Sequence, residues 1–291
     1  MIKSITYTGL KPGLKFLVLG AIHGNEKCGT IGITRVMEDL NAGRFHITKG
    51  QVTFVPICNP RAYEKDVRYT ERNLNRYLVP VAEPKTYEGQ LGNLLCPLLA
   101  DCDVVLDIHS YTVGGAAFAS VDNTNEKEKE FAAILGAEAL IGGWEDAYAA
   151  TSVNSQKDPD ESVGTGGYAR RHGAMAVTLE CGQHKDPKAP EIAYQAIRNA
   201  LRYLDLTDEP KAVASVKPAP LVAVTHVFYS DGKGKFEKPW KNLEEVTKDK
   251  PLATSVDGLP IKAPEDGYIV LPKADAASGE EWFYFGVKKA A

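Results

Sequence analysis

An α/β fold with a largely parallel sheet flanked by helices, followed by a small all-β domain, is predicted by three observations. Short apolar, β-branched runs alternate with stretches of helical spacing up to about Leu206. There the composition shifts to a stretch rich in Pro and small residues, beginning Thr207-Asp-Glu-Pro. Beyond it come short alternating segments separated by Asp-Gly turn signals.

In chain order, residues 16–19, 51–57, 103–108, 116–121 and 174–179 read as strands. Residues 26–40, 87–100, 126–140 and 191–204 read as helices. In the first of these Ile31, Ile33, Val36, Met37 and Leu40 keep a mostly helical spacing until Asn41-Ala-Gly43 ends it. Strands alternating with helices predict a sheet covered on both faces, with its site beyond the carboxyl ends of the strands. The predicted organisation is one α/β domain over 1–206, a linker at about 207–217 and a β domain over 218–291. Within the latter, residues 221–229, 251–256, 267–271 and 282–287 read as strands. The β domain is expected to cap the site and is a candidate subunit contact, so a homo-oligomer is an open expectation.

Composition excludes several classes. A net charge of −4 leaves no basic field to hold nucleic acid or anionic lipid. No apolar run is long enough to span a bilayer, and Met1-Ile-Lys-Ser-Ile-Thr-Tyr lacks the apolar stretch of a secretory signal. The five cysteines, at 28, 58, 96, 102 and 181, show no CxxC spacing and fit buried thiols. The expectation is a cytoplasmic protein with neither a nucleic-acid nor a membrane partner.

His23-Gly-Asn-Glu26 directly follows the run ending at Gly20. A histidine and a carboxylate three residues apart at a strand end can supply two of the three protein ligands of a catalytic zinc. The intervening Gly-Asn suits a tight turn, because both residues tolerate positive φ; an ordinary capped turn explains the same four residues. Asp107-Ile-His109 closes the run 104–106 and offers a third ligand at a neighbouring strand end, with Asp107 a partner for an imidazole N–H. Glu180 follows the strand 174–179 and precedes Gly182, where a carboxylate can act as general base to a metal-bound water; a solvated loop carboxylate is the plainer alternative. Between these lie Arg61, Arg68, Arg72 and Arg76, in a segment beginning Asn59-Pro. A guanidinium recognises carboxylates bidentately, so the segment reads as a receptor for an anionic substrate; a charged surface loop is the plainer alternative. Cys28 is expected on a buried helix face, and among the remaining histidines only His184 is close enough in sequence to Glu180 to support the site.

His23-x-x-Glu26, Asn59-Pro-Arg61, Arg68, Asn75-Arg76, Asp107-x-His109 and Glu180 fall in the order and approximate spacing of the succinylglutamate desuccinylase/aspartoacylase family. The resemblance covers roughly residues 15–205, and the β tail is similar to that family's C-terminal domain. It implies a zinc-carboxypeptidase-like α/β domain and one Zn²⁺ per chain held by His23, Glu26 and His109. It further implies Glu180 as general base on the zinc water, Arg68 beside the oxyanion, and Asn75, Arg76 and Arg170 as substrate contacts. A helix-end salt bridge explains Arg170 equally well. The substrate so implied is a small anionic N-acyl amino acid, and the reaction is hydrolysis of its amide. Trp282 and Tyr284 are both candidates for an aromatic that closes over the substrate. A carboxypeptidase or amidase acting on peptides or cell-wall fragments is the alternative enzyme; a metal protein that binds a carboxylate without turnover is the alternative of another class.

Overall fold

The computed structural model describes residues 2–122, 124–152, 160, 162–211 and 219–289. Much of the expected linker lies outside them. The chain begins with β1 (Ile5–Thr8), β2 (Lys11–Gly20), α1 (Cys28–Asn41), β3 (Lys49–Val55), α2 (Pro60–Lys65) and α3 (Tyr87–Ala100). It continues through β4 (Val104–Tyr111), β5 (Phe118–Ser120), α4 (Glu126–Ile134), β6 (Ala139–Gly142), α5 (Trp144–Ser152), α6 (Thr165–Arg171), β7 (Met175–Gln183) and α7 (Ala189–Tyr203). The all-β part follows as β8 (Leu221–Tyr229), β9 (Lys235–Phe236), β10 (Glu244–Val246), β11 (Pro251–Thr254), β12 (Pro260–Lys262), β13 (Gly267–Val270) and β14 (Glu281–Lys288).

Among the described residues one mixed sheet runs in the order β1-β3-β2-β4-β7-β5-β6-β8-β14-β13-β10. Its centre, β3-β2-β4-β7, is parallel. This is the predicted α/β class with a C-terminal antiparallel part.

Alternation along β2 divides the core between two faces. Phe16 and Val18 point to one, where they join Ile33 and Val36 of α1 and Ala193 and Ile197 of α7. Leu17 and Leu19 point to the other, against Leu91, Leu95 and Leu99 of α3. Since both faces are covered, the central strands read as near-continuous apolar runs. A separate core in the β tail gathers Trp240, Leu252, Ile269, Trp282, Phe283 and Phe285.

The structure corrects one predicted helix. The segment 126–140 is not helical throughout: α4, capped by Asn125 accepting from the Glu128 N–H, gives way after Ile134, and residues 139–142 form β6. Gly136 adopts φ +87, which turns the chain back towards the sheet. The predicted strand 116–121 shrinks to β5, whose antiparallel pairing with β7 ends the central parallel run. Among the described residues no helix is long and apolar enough to cross a membrane.

Candidate metal centre and catalytic cleft

Three neighbouring strands set the site. β2 ends at Gly20 and delivers His23, 3% exposed, and Glu26, 1% exposed, in the turn before α1. β4 carries His109, paired in register with Glu180 on β7. On its other side Glu180 pairs with Phe118 of β5, so two ladders fix its backbone.

Glu26 lies at the centre. Its Oε1 is 2.8 Å from His23 Nδ1 and its Oε2 is 2.8 Å from His109 Nδ1. Arg68 Nη1 donates to Oε1 at 3.0 Å and the Ser110 N–H to Oε2 at 3.2 Å. Burial pushes the Glu26 carboxyl upward, but the two imidazoles outweigh it and hold the pKa well below the usual value. Burial, helped by the Arg68 charge, brings His23 down to about 4, which keeps its imidazole neutral. For His109 burial works in the same direction, yet Asp107 and Glu26 together raise it well above its ordinary value.

Each imidazole is gripped from behind. His23 Nε2 lies 3.0 Å from Asn73 Oδ1, and His109 Nε2 lies 2.8 Å from Asp107 Oδ2, out of line for a hydrogen bond. Thr165 Oγ1 donates to that same Asp107 oxygen at 2.6 Å. The donors of His23, Glu26 and His109 lie within 4.8 Å of one another, all buried. Two imidazole nitrogens and a carboxylate oxygen are the donor set of a catalytic zinc site. Glu180 Oε2, on the residue in register with His109, is buried without a hydrogen-bond partner, as are His109 Nε2 and Asp107 Oδ1. Three buried carboxyl groups facing few cations favour a divalent ion there. The residues present therefore fit the group that the sequence implies.

Glu180 stands beside this cluster without joining it. Burial, aided by the charges of Glu26 and Asp107, pushes its pKa up to about 8 against the pull of His109 and Arg68. His184 Nδ1 lies 2.8 Å from Ser110 Oγ, next to the residue whose N–H serves Glu26, as expected for a supporting histidine. Cys28 packs on the helix face with its Sγ donating to the His109 carbonyl at 3.3 Å.

The arginine segment divides. Arg68, Arg72 and Arg76 all line a cavity with His23, Glu180 and Tyr284. Arg61 instead stacks over Tyr87 at 4.1 Å, and Arg72 donates to Thr86 Oγ1 and to the Arg76 carbonyl. Asn59 caps α2 and donates to Glu88, so its place is structural. Asn75 accepts from the Thr165 N–H at 2.8 Å. Arg170 lines the same cleft as Glu180, but its Nε and Nη2 each donate to Glu128 at 2.8 Å and Nη2 also to the Ala176 carbonyl. The two candidate aromatics separate at a β-bulge between Glu281 and Phe283, which turns Trp282 into the β-tail core and leaves Glu281 and Tyr284 on the cleft.

Sequence reasoning did not find Glu88, Glu281 or Asn73; Tyr148 and Thr165 lie in the segment 144–166, which reads from sequence as a loop beside the site and of which residues 144–152 form α5 and residue 165 begins α6. Glu88, fully buried on α3, accepts from the N–H groups of Thr70, Glu71 and Arg72, the Thr70 hydroxyl and Asn59 Nδ2. It thereby ties down the loop that carries Arg68, Asn75 and Arg76. No local pattern marks it, because its partners are 16 to 29 residues away. The Asn73 signal was present in Asn73-Leu-Asn75, adjacent to the arginines.

Comparison with known proteins agrees with this geometry. The succinylglutamate desuccinylase/aspartoacylase catalytic domain matches residues 12–207. A probable aspartoacylase of Prochlorococcus marinus is 28% identical over 126 residues, 42% of this chain and 41% of that protein, so the matched stretch spans less than half of the relative. A succinylglutamate desuccinylase/aspartoacylase structure from Rhodobacter sphaeroides superposes with a TM-score of 0.76 at 17% identity, covering 100% of this chain and 90% of that one. A product-bound ectoine utilization protein from Ruegeria pomeroyi gives 0.70 at 20% identity, covering 98% and 88%. At these identities the structural likeness is one of fold.

Two outcomes follow from the local packing. Gly24 does not use positive φ; a Cβ there would overlap the backbone of Ala62 and Tyr63 in α2. Gly24→Ala is expected to destabilise the fold by about 2 kcal/mol or more, read as a lowered Tm. Glu88→Gln removes a charged acceptor and is expected to cost about 2–3 kcal/mol at pH 7 by urea unfolding. Burial raises the Glu88 pKa, but its N–H and hydroxyl donors outweigh this and lower it below 4.5. Its stabilisation is therefore complete above 4.5 and lost as pH falls through the lower folded value, so the gap between wild type and Glu88→Gln should close in acid. A gap independent of pH would contradict the ionised Glu88.

Proposed function

We propose, from the premise that the chain belongs to the succinylglutamate desuccinylase/aspartoacylase family, that it is a zinc-dependent hydrolase cleaving the amide bond of an N-acyl amino acid. The observation that carries this reading is the convergence of His23, Glu26 and His109 with Glu180 held unligated in register beside His109. A mere carboxylate binder gains nothing from a buried carboxyl in that position.

His23, Glu26 and His109 would hold the zinc, which would supply a Lewis acid for the acyl carbonyl and lower the pKa of water. The chain does the rest. Glu180, held in register beside His109, takes the proton of the attacking water and returns it to the departing amine. Arg68, whose guanidinium reaches the centre through Glu26, stabilises charge developing on the carbonyl oxygen. Asn75 and Arg76 hold the carboxylate of the amino-acid part and so fix the scissile bond against the water. Asn73 and Asp107 orient the two imidazoles from behind. Arg170 acts at one remove, as a wall braced by Glu128.

Purified protein should contain one zinc per chain and release free amino acid from members of an N-acyl amino acid panel. Glu180→Gln should retain the zinc while losing about 100-fold or more in kcat. His109→Ala should lose the metal itself. Hydrolysis surviving in Glu180→Gln, or the absence of stoichiometric zinc, would refute the reading.

A further inference from the structure

Two cavities meet at the catalytic groups. His23, Arg76, Glu180 and Tyr284 line both. Asn75 and Thr165 line only the inner one, whereas Tyr69, Tyr77, Tyr111 and Val113 line only the outer one, of about 670 Å³. With the amino-acid part held by Asn75 and Arg76, the acyl group on the far side of the scissile bond enters the outer cavity. An acetyl group would leave most of that space to water. One wall there is apolar: Tyr111 and Val113, at and just after the end of β4, pack with Leu271 and Tyr284 of the β tail in a single cluster. Tyr69 and Tyr77, 38% and 39% exposed, add two aromatic rings from the arginine loop.

The backbone singles out Tyr77. It adopts φ +47, a left-handed conformation that a bulky residue takes only at a cost and that glycine takes freely. Two fixed neighbours impose it. Arg76 lines the cleft with Nη1 donating to the Asn75 carbonyl, while Leu78 is fully buried and its N–H donates to the Val163 carbonyl at 2.9 Å. Leu271, at φ +46, shares the conformation and is pinned by its N–H donating to Asn242 Oδ1 at 2.8 Å. Glycine would relieve the strain at position 77, but only a side chain there puts an aromatic ring into the cavity.

Arg72 is the group that a carboxylate-bearing acyl chain would seek, since among the described residues it has no acidic partner. Its Nε and Nη1 are nevertheless spent on Thr86 and the Arg76 carbonyl. Its Nη2 lies against α3, where a Cβ on Gly89 or Gly92 would stand 3.7 or 3.9 Å away. Lys273, also on the outer cavity, faces Glu280. The rings and aliphatic side chains are what this cavity holds out to an acyl group.

Resting on the deacylase reading above, we infer that the acyl group is a hydrocarbon chain longer than acetyl, and that Tyr77 is a specificity-determining residue that packs on it. Each methylene moved from water into such a pocket raises kcat/KM several-fold.

kcat/KM is measured with zinc-loaded full-length protein for the acetyl, succinyl and 4-methylpentanoyl derivatives of alanine, aspartate and glutamate. The 4-methylpentanoyl group is the uncharged isostere of succinyl, so size and charge separate. For whichever amino acid is cleaved fastest, wild type is expected to favour 4-methylpentanoyl over both others by about tenfold or more. Tyr77→Phe should keep that ratio and Tyr77→Ala should erase most of it. A ring that merely steadies the loop would lower the Tm of Tyr77→Ala and leave the ratio intact, which overturns the inference. Tyr77→Gly, which removes the ring while relieving the backbone, takes the place of an alanine variant that does not fold. A wild type that prefers acetyl or succinyl overturns the inference without any variant. If no compound is hydrolysed, the deacylase reading fails separately, and calorimetric binding of the same compounds decides. Tighter 4-methylpentanoyl than succinyl in wild type but not in Tyr77→Ala upholds the inference, and any other order overturns it.

Discussion

A single carboxylate, Glu26, has to stay charged in a place where water does not reach it. An ionised group taken out of water needs partners of opposite charge or aimed donors, or it takes up a proton instead. Here each oxygen has an imidazole nitrogen at 2.8 Å, with Arg68 and the Ser110 N–H completing the set. Those four partners come from three separate parts of the chain, and only the parallel order β2-β4-β7 brings the two strand ends together. The apolar alternation that fills the core on both faces of β2 is thus also what positions a histidine and a carboxylate at its end. Arg68 requires a further constraint, because it sits on a loop with no regular structure of its own; Glu88 supplies this from α3.

How legible this was depended on the distance between cause and effect along the chain. His23, Glu26, His109 and Glu180 could be read because each directly follows or closes an apolar run, and strand ends in such sheets converge. The class of the fold was legible for the same reason. The C-terminal half of the predicted helix 126–140 was not, because apolar residues at 139–142 serve either a helix face or a buried strand, and Gly136 decides between them by its backbone. Arginine count alone likewise said nothing about direction: of Arg61, Arg68, Arg72 and Arg76, the first is drawn onto Tyr87 and the third onto Thr86. Trp282 and Tyr284 have the parity of one strand face, and the bulge that separates them leaves no mark in composition.

Thr165 shows how the two halves of the cleft are coupled. Its N–H reaches Asn75 while its hydroxyl reaches Asp107, which stands behind His109. A side chain assigned to the substrate and one assigned to the metal ligand are therefore aligned by the same residue at the start of α6. Displacing that helix would disturb both contacts at once.

The pairing of Arg76 with Glu281 also gives the site an order of assembly. Ribosomal synthesis releases His23, Glu26 and His109 long before β14, and Glu180 well before it. The His23–Glu26–His109 cluster can therefore assemble on a growing chain in which Arg76 still lacks its carboxylate partner. Glu281 and Tyr284 arrive when β14 adds to β8 and extends the same sheet. Docking of one late strand thus turns a cleft with a bare Arg76 guanidinium into one in which that guanidinium faces a carboxylate.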